Sequence, residues 1–449
     1  MSDLYHLVGV AGVGMSALAQ ALLAQGCRVS GSDRFLDQGS ELEVLDRLRA
    51  AGIRLMPQDG SGVLADTSGV IVSTAIEPGN PDLEAARSRG VPVIHRAEML
   101  ARLVRGRRLI AVTGTSGKTT VTGLIGWLLE QCGQWPTVVN GGAVLNWKTP
   151  QAPGNFRAGR DALWVIEADE SDRSLLHFEP EWEIITNISR DHFDLRETLG
   201  LFRTFSHKAR AGVVCGRGVA EALLADPEGE AQGRLIEERL EYEERAGRPG
   251  FVSEGTFFPS PLPGLHNVEN AWLAVVLCRQ LGLDPAALRE ALSSFRGIER
   301  RLERVGESGG VTIVDDYAHN PAKIVAAWRT MVQTHGRILG VWRPHGFGPL
   351  AAMLSDLEAS LADVMRPQDL LFLLPVFYAG GTARPTVSSG DLAARLQRAG
   401  KSARVVESYS ALEGELRAVA RDGDALLVMG ARDPGLPRFA RRMLTVLKS

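Results

Sequence analysis

The chain has 449 residues, of which 45% are hydrophobic, and a length of this order predicts two to four domains of ~100–200 residues each. Its formal net charge is only −3, so no strongly basic surface indicates a nucleic-acid partner. Four scattered cysteines without a C-x-x-C pair argue against a zinc site or disulfide framework. We expect no signal peptide, and the sequence has no apolar run of about 18 residues. We therefore expect a cytoplasmic protein with no membrane partner.

Three segments, which start at Tyr5, Arg108 and Gly310, share one pattern: a short apolar strand, a glycine-rich or polar turn, and a helix. Apolar strands and amphipathic helices alternate after each of them, which is typical of parallel sheets with helices on both faces. A helix running into a basic link (96–110) and a glycine- and charge-rich link (294–310) separate the three units. We expect the charged segment 226–250 to be a surface insertion with some helix.

The first unit contains the glycine-rich turn GVAGVGM, from Gly9 to Met15, and Asp33 ends the next strand. A dinucleotide fingerprint would read G-x-G-x-x-G, but Ala11 takes the middle glycine position. The turn alone therefore indicates tight packing as readily as a ligand site.

The second unit opens with AVTGTSGKTT, which resembles a phosphate-binding loop but has Val112 where G-x-x-x-x-G-K-[ST] requires its first glycine. Gly114 and Gly117 would let successive N–H groups face inward. Lys118 would reach the β- and γ-phosphates, and Thr119 offers a hydroxyl to Mg²⁺. The alternative is an ordinary strand–turn–helix corner with a chance lysine.

Polar residues crowd the ends of two further strands in the second unit. WVIEADESD contains Glu167, whose carboxylate is a hard oxygen ligand suited to Mg²⁺, and IITNISRDHFD contains Asn187 and His192. Because ligands of open α/β sheets bind at the carboxyl ends of the strands, these residues are candidates for a metal and phosphate site. A solvated acidic loop is the alternative for the carboxylates, and a structural role is the alternative for the histidine.

Two later blocks carry further candidates. GLHNVENA opens a helix with Asn267 and Asn270 three residues apart on one face, which suits a base or ribose, although a polar helix cap is the common alternative. IVDDYAHNP ends a strand with Asp316 and His319 and could contact a nucleotide and a second substrate, or form only a turn before a helix.

Six ordered blocks, G-T-x-G-K-T-T, E-A-D-E-S-D, T-N-I-x-x-D-H-x-D, G-x-H-N-x-x-N-A, R-R and D-D-Y-x-H, resemble the Mur ligase family of ATP-dependent amide-forming enzymes over essentially the whole chain. The resemblance implies an α/β fold with three domains: an N-terminal Rossmann-like UDP-sugar-binding domain (1–105), a central P-loop ATPase-like domain with a parallel sheet (106–297) and a C-terminal Rossmann-like domain (298–449). It further implies that ATP converts the lactyl carboxylate of UDP-N-acetylmuramate into an acyl phosphate, which an amine attacks. The N-terminal blocks are most similar to the branch that adds L-alanine.

The resemblance also implies roles at matching positions, with ATP and Mg²⁺ as cofactors. The implied catalytic residues are Lys118, Glu167, His192, Arg301 and His319, and the implied metal ligands are Thr119, Glu167 and His192. The implied ATP-binding residues are Gly114, Thr115, Ser116, Gly117, Lys118, Thr119, Thr120, His266, Asn267, Asn270 and Asp316. The implied substrate-binding residues are Gly12, Gly14, Met15, Asp33, Ser73, Thr74, Asn187, Tyr317 and His345.

The sequence departs from the alanine-adding branch at several positions. Ser116 stands where that branch has a loop histidine, and Asn320 replaces a second histidine. In place of the branch motif P-H-R-[YF]-T-R, the chain keeps His345 but has Gly346 and Pro349 at the two arginine positions. Those arginines would pair with a substrate carboxylate through strong charge-assisted hydrogen bonds, so a different amine is possible.

Several alternatives stay open. The amine is L-alanine, the murein tripeptide of a recycling ligase, or another compound. A nucleotide-binding regulatory protein would be expected to lose Lys118, Glu167 or His192, which all remain, and a plain P-loop NTPase would need a water-activating aspartate that is not evident. The sequence leaves undecided the choice between monomer and homodimer, the choice between Mg²⁺ and Mn²⁺, and any modification of Lys208.

Overall fold

A computed structural model of the chain describes residues 2–39, 42–160, 162–171, 173–189, 194–225, 234–378 and 385–448. The chain divides into two compact units, Met1–Ile298 and Glu299–Ser449. Within the described ranges, no helix has both the length and the apolar character that crossing a membrane requires.

The first unit begins with a five-stranded parallel sheet in the order β3-β2-β1-β4-β5. The strands are β1 Leu4–Val8, β2 Arg28–Ser32, β3 Arg54–Met56, β4 Thr67–Val72 and β5 Val93–His95, and the helices are α1 Val13–Ala24, α2 Arg34–Asp37, α3 Glu43–Ala50, α4 Pro81–Arg89 and α5 Arg96–Val104. The strand order reverses between β1 and β4. The glycine-rich turn follows β1 and therefore lies at the switch point where open α/β sheets bind ligands.

A second sheet in the same unit has the order β12-β11-β10-β6-β9-β7-β8 and is parallel except at its edge strand β8. Its strands are β6 Arg108–Thr113, β7 Thr137–Val139, β8 Phe156–Arg157, β9 Leu163–Glu167, β10 Trp182–Ile185, β11 Gly212–Cys215 and β12 Leu235–Ile236. The helices are α6 Lys118–Gln131, α7 Leu195–Ser206, α8 Val219–Leu224, α9 Leu265–Gln280 and α10 Pro285–Ser293, with a 3₁₀ turn at Ser174–His177. Helices α6 and α9 pack together in one apolar core, and α7 lies in the other.

The expectation of helix in the segment 226–250 is wrong for the part that the structure describes. From residue 234 this segment forms β12 and enters a small antiparallel sheet of β13 Glu241–Arg245, β14 Arg248–Ser253 and β15 Thr256–Pro259. Ala246 (φ +51°) and Gly247 (φ +72°) form the first two-residue turn, whose positive φ values match the twist of a hairpin. Phe251 and Phe258 stack 5.2 Å apart on the buried face, so burial of alternate residues decides the structure.

The second unit is a six-stranded sheet in the order β16-β17-β21-β18-β19-β20, in which only β16 is antiparallel to its neighbour. The strands are β16 Glu303–Ser308, β17 Val311–Asp316, β18 Arg337–Arg343, β19 Leu370–Leu373, β20 Ala403–Val405 and β21 Asp424–Gly430, and the helices are α11 Pro321–Val332, α12 Phe347–Val364, α13 Ser389–Arg398, α14 Tyr409–Val419 and α15 Gly435–Val446. The expected link 294–310 thus contains a strand, because Gly309 and Gly310 adopt the positive φ values of a tight hairpin and return the chain along β17.

These sheets confirm the predicted α/β fold with parallel sheets. The helix expected at the start of segment 96–110 is also present, as α5. The positions of the domain boundaries at residues 105 and 297 remain predictions.

Candidate functional site

The phosphate-loop sequence begins later than the common motif because its first position belongs to the sheet. Strand β6 continues to Thr113, and Val112 is fully buried within it. The loop therefore starts at Gly114, whose φ of +123° and close packing exclude any side chain. A Cβ on Gly114 would lie 2.1 Å from the Thr186 hydroxyl oxygen, which itself donates to the Ser116 carbonyl at 2.6 Å.

The end of the loop packs against the first turn of α9. Gly117 has a φ of +85°, and a Cβ there would lie 2.5 Å from Asn270 Oδ1. Asn270 Nδ2 donates to Asn267 Oδ1 at 3.2 Å, and Asn267 Nδ2 donates to the Pro263 carbonyl at 2.7 Å. His266 lies exposed in the same turn. The structure therefore brings Asn270 to the loop, with Asn267 bonded to it, and the predicted ATP contact of His266 remains a prediction.

Asn187, predicted to bind substrate, holds the loop instead through its amide group. Its Oδ1 accepts from the Thr115 hydroxyl at 2.6 Å and from the Ser116 N–H at 3.0 Å, and its Nδ2 donates to the Ser116 carbonyl at 3.0 Å. These bonds fix the backbone at the exposed tip of the loop. The substrate contact of Asn187 remains a prediction.

Lys118 is paired with carboxylates at the end of β9. Its Nζ donates to Glu170 Oε2 at 2.8 Å and to the Gly114 carbonyl at 2.8 Å, and it lies 4.0 Å from Asp169 Oδ1. Burial by itself would lower the pKa of Lys118, but attraction to Glu170, Asp169 and Glu167 outweighs it and raises the pKa. The loop lysine therefore keeps its positive charge in a largely buried position.

A second carboxylate, Glu167, lies beside the hydroxyl of the first helical turn. Thr119 Oγ1 donates to Glu167 Oε1 at 3.2 Å, and the Gly141 N–H donates to Oε2 at 2.8 Å. A Cβ on Gly141 would lie 2.3 Å from Oε2, so only glycine permits this approach. Glu170 Oε1, nearby, is buried without a hydrogen-bond partner among the described residues. Thr120, the next residue of the helix, is buried.

This donor set fits Mg²⁺, which prefers hard oxygen ligands and usually takes one or two from protein and the rest from phosphate and water. In the described ranges no group of three histidine, cysteine or acidic side chains is arranged to bind a metal without such additional ligands. His192, the third predicted ligand, lies outside the described residues. Thr119 and Glu167 thus form the described part of the predicted metal site.

In the first sheet, Asp33 organises the glycine-rich turn. Its Oδ2 accepts from the Ala11 N–H at 3.0 Å and its Oδ1 from the Phe35 N–H at 3.0 Å, while burial raises the pKa of Asp33. Gly12 is the residue that caps α1. Met15 is only 4% exposed and lies in the core, and its predicted substrate contact remains a prediction.

Ser73 and Thr74 follow β4 on the other side of the switch point. The Ser73 carbonyl accepts from the Ile76 N–H at 3.2 Å, which forms a turn, and Thr74 is exposed. A Cβ on Gly9, whose φ is +76°, would lie 3.2 Å from Ile76 Cδ1. The turns that follow β1 and β4 are therefore neighbours.

Arg96 connects the two predicted sites of this unit, and the sequence reasoning missed it. Its guanidinium lies 3.9 Å from Asp169 Oδ2, and a Cβ on Gly14 would lie 3.3 Å from its Nη1. Arg96 therefore places positive charge between the glycine-rich turn and the acidic end of β9. Neither motif spacing nor periodicity marks it, because it opens an ordinary helix after a short strand.

In the second unit, Tyr317, His319 and His345 form an aromatic cluster. The His319 ring lies 5.6 Å from the Tyr317 ring and 5.4 Å from the His345 ring, both edge-on. Burial, followed by the charge of Lys323, lowers the pKa of His319 to about 4. The pKa of His345 is also lowered, mainly by burial. Both imidazoles are therefore neutral near pH 7 and able to accept a hydrogen bond, with a reduced affinity for a proton.

Arg301 and Asp316 border this cluster. The Arg301 guanidinium lies 5.3 Å from the centre of the Tyr317 ring. Asp316 is buried, which raises its pKa, and its two oxygens accept from the Leu302 and Ala318 N–H groups, both at 2.7 Å. Asp316 thus fixes the backbone at Leu302 and at Ala318. Its predicted ribose contact remains a prediction.

Family models match nearly three-quarters of the chain: the Mur ligase family catalytic domain over residues 4–108, the Mur ligase middle domain over 112–200, and the Mur ligase glutamate ligase domain over 300–432. The chain belongs to the Mur ligase family. Membership confirms the predicted class of ATP-dependent amide-forming ligase. It argues against both a plain NTPase and a regulatory protein without ligase activity.

Individual Mur ligases are similar over nearly their whole length. A UDP-N-acetylmuramate–L-alanine ligase from Synechococcus sp. is 36% identical over 442 residues, which cover 96% of this chain and 90% of that protein. The crystal structure of a UDP-N-acetylmuramate–alanine ligase from Thermotoga maritima superposes with a TM-score of 0.79 at 25% identity and covers 98% of each chain. A murein peptide ligase from Psychrobacter arcticus, at 21% identity, gives a TM-score of 0.70 over 100% of this chain and 99% of that one. The last likeness shows a shared fold alone.

Proposed function

We propose that this Mur ligase joins L-alanine to the lactyl carboxylate of UDP-N-acetylmuramate, with cleavage of ATP to ADP and phosphate. The observation that carries the proposal is the charged site at the phosphate loop, where Lys118, Thr119 and Glu167 converge on a preformed backbone cradle. The near-complete match to ligases with this substrate pair supports the choice of acceptor and amine.

The residues of the loop support carboxylate activation. Inward-facing N–H groups and Lys118 would bind the β- and γ-phosphates, with phosphate oxygens taking the place of Glu170 at the lysine. A lactyl carboxylate oxygen attacks the γ-phosphorus, ADP leaves, and an acyl phosphate results. The amine then attacks the acyl carbon and phosphate leaves with the bonding electrons. We assign the amine to the cluster of His319 and His345, whose neutral rings can accept hydrogen bonds from the amine without repelling it, while the proton that the ammonium group must lose passes to water.

We propose that Thr119 and Glu167 hold Mg²⁺, with His192 as a further ligand of a second ion. A divalent cation bound there supplies positive charge that offsets the negative charge of the transferring phosphoryl group. Glu167 is oriented for this by the Gly141 N–H, which leaves its Oε1 directed at Thr119.

A different amine is a second candidate because Gly346 and Pro349 occupy the positions where the alanine-adding branch carries arginines. Loss of both would remove two bidentate donors for a carboxylate. The murein tripeptide is one such amine, because the ligase that adds it uses the same UDP-N-acetylmuramate acceptor.

Phosphate release tests the proposal. The full-length protein is supplied with ATP, Mg²⁺ and UDP-N-acetylmuramate, and L-alanine, glycine, L-serine or the murein tripeptide is added. Release that requires both the acceptor and L-alanine is the expected result. Release with the tripeptide alone, or with none of the amines, would contradict the proposed substrate pair.

We further propose that the enzyme works in the cytoplasm, as a monomer or homodimer. All four cysteines are free thiols, which suits a reducing compartment. Sedimentation velocity at micromolar concentration would determine the oligomeric state.

A further inference from the structure

Three neighbouring parallel strands of the second unit end at one edge of the sheet, in the order β17, β21, β18. The residues that follow them include His319 after β17, Arg432 after β21 and His345 after β18. The carboxyl edge of such a sheet is where open α/β folds bind ligands. The topology therefore places Arg432 at the same sheet edge as the two imidazoles of the proposed amine site, after the strand that separates theirs.

Arg432 has an unusual backbone conformation. Its φ is +63°, in the left-handed region that a non-glycine residue occupies only with strain. The side chain is exposed, and no hydrogen bond or ion pair joins it to any residue in the described part of the chain. A strained turn that presents an unpaired cation at a strand end suggests a ligand of opposite charge.

The turn that carries Arg432 is rigidly held. Asp433 is only 4% exposed, and its carboxylate accepts from Arg343 Nη1 at 2.6 Å, from the Gly435 N–H at 2.7 Å and from the Tyr409 hydroxyl. Arg343 is thereby committed to Asp433 and is not available for a substrate. The same bonds fix the position from which Arg432 projects.

The charge of Arg432 also acts on the cluster. Burial is the larger cause of the lowered pKa of His345, and the charge of Arg432 is the second. The guanidinium therefore lies within electrostatic reach of that ring. An anion bound at Arg432 would thus lie close to the imidazoles assigned to the amine.

We propose that Arg432 binds the carboxylate of the amine substrate, in place of the two arginines that the family resemblance expects at Gly346 and Pro349. The guanidinium presents paired N–H donors that match the two oxygens of a carboxylate. This inference rests on the proposed function and narrows it, because it requires an amine with a carboxylate on the same carbon, as in an α-amino acid.

The test compares Arg432→Gln with Arg421→Gln in the full-length enzyme. Arg421 is a matched control, because it is also exposed and its side chain has no partner among the described residues, but it precedes β21 at the opposite edge of the sheet. R432Q is expected to raise the KM for L-alanine by about 10- to 150-fold, the range of a charge-assisted hydrogen bond. The KM values for ATP and UDP-N-acetylmuramate should stay unchanged, and R421Q should leave all three unchanged.

L-Alaninamide separates carboxylate recognition from a structural effect, because it keeps the amine and lacks the carboxylate. The wild type should prefer L-alanine over L-alaninamide, and R432Q should lose most of that preference. Arg432→Lys should restore part of it, and Arg432→Gly, which relieves the backbone strain, should behave like R432Q. An unchanged KM for L-alanine in R432Q and R432G, or an equal loss with both amines, would overturn the inference while wild-type turnover still supports the proposed function.

Wild-type turnover decides the proposed function separately. Release with the murein tripeptide alone would contradict both proposals, because its reacting amine has no carboxylate on the same carbon. Absence of turnover with every carboxylate-bearing amine would also count against both.

Discussion

The phosphate loop of the first unit and the strand-end cluster of the second differ in how they hold charge. In the loop, Lys118 is already paired with Glu170, and the backbone is fixed by side chains from other strands and helices. In the cluster, the imidazoles are neutral, and Arg432 has no hydrogen-bond or ion-pair partner in the part of the chain that the structure describes. The comparison teaches that the phosphate loop is held mainly through its backbone, whereas the proposed amine site depends on a few exchangeable side chains.

Removing the loop lysine should break the first site most severely. Lys118→Met is expected to lower kcat by about 10²–10³-fold, because no other cation of the loop can stabilise the transferring phosphoryl group. It should also destabilise the protein by about 3–5 kcal/mol, since it leaves Glu170 buried without its partner. Phosphate release and thermal unfolding measure the two effects.

The double variant Lys118→Met/Glu170→Gln separates these effects. It removes both charges of the buried pair, so it should recover most of the lost stability and none of the activity. Recovery of activity would contradict the assigned role of Lys118.

Substitutions at two glycines test whether ATP binding depends on the backbone conformation of the loop. Gly117→Ala and Gly133→Ala both place alanine at positive φ, at a cost of about 1–2 kcal/mol of stability. Only at Gly117 would the new methyl group meet Asn270 Oδ1, 2.5 Å away, while Gly133 has open space. G117A should therefore weaken ATP binding by more than about tenfold, measured by calorimetry, and G133A should not. Equal nucleotide affinity in the two variants would show that the loop tolerates distortion.

Glu183, on strand β10 of the sheet that carries the phosphate loop, contrasts with Glu170, because its carboxyl group is buried without a partner among the described residues. It is 0% exposed, neither oxygen has a hydrogen bond within the described residues, and burial raises its pKa well above the ordinary value of 4.5. Above pH 4.5 the unfolded state loses this proton and the folded state retains it, so the group increasingly destabilises the fold until its folded pKa is reached. Glu183→Leu should therefore raise stability by about 1–3 kcal/mol near pH 8 and by less near pH 5.

Urea unfolding at the two pH values measures the effect. The control is Glu221→Leu, because Glu221 is exposed on α8 and should show a pH-independent change. A gain at Glu183 that does not grow with pH would indicate that this carboxyl group is ionised in the folded protein.

Much of the fold could be predicted because local patterns determine it. The apolar strands and glycine-rich turns predicted three α/β units, whereas the place of Val112 inside the strand that precedes a shorter loop became clear only from the structure. The short antiparallel hairpins were missed, since their formation depends on positive φ values at Ala246 and Glu254 that charged flanking sequence obscures.

The candidate site was predictable where motif spacing follows one strand and one helix, as at Lys118 and Thr119. Arg96 and Gly141 were missed, because only folding brings them to Asp169 and Glu167. The loss of arginines at Gly346 and Pro349 was visible in the sequence. Their proposed replacement was not, because Arg432 lies more than 80 positions away and reaches the same edge only through the strand order.

The central claim is that ATP activates the carboxylate of the acceptor, and an oxygen label tests it most directly. UDP-N-acetylmuramate labelled with ¹⁸O in its lactyl carboxylate is incubated with the enzyme, ATP, Mg²⁺ and L-alanine in ordinary water, and the phosphate is analysed by mass spectrometry. The proposed mechanism predicts transfer of a single carboxylate oxygen to the phosphate for each amide bond formed. Unlabelled phosphate would contradict it, because the γ-phosphoryl group would then have passed to water and not to the substrate.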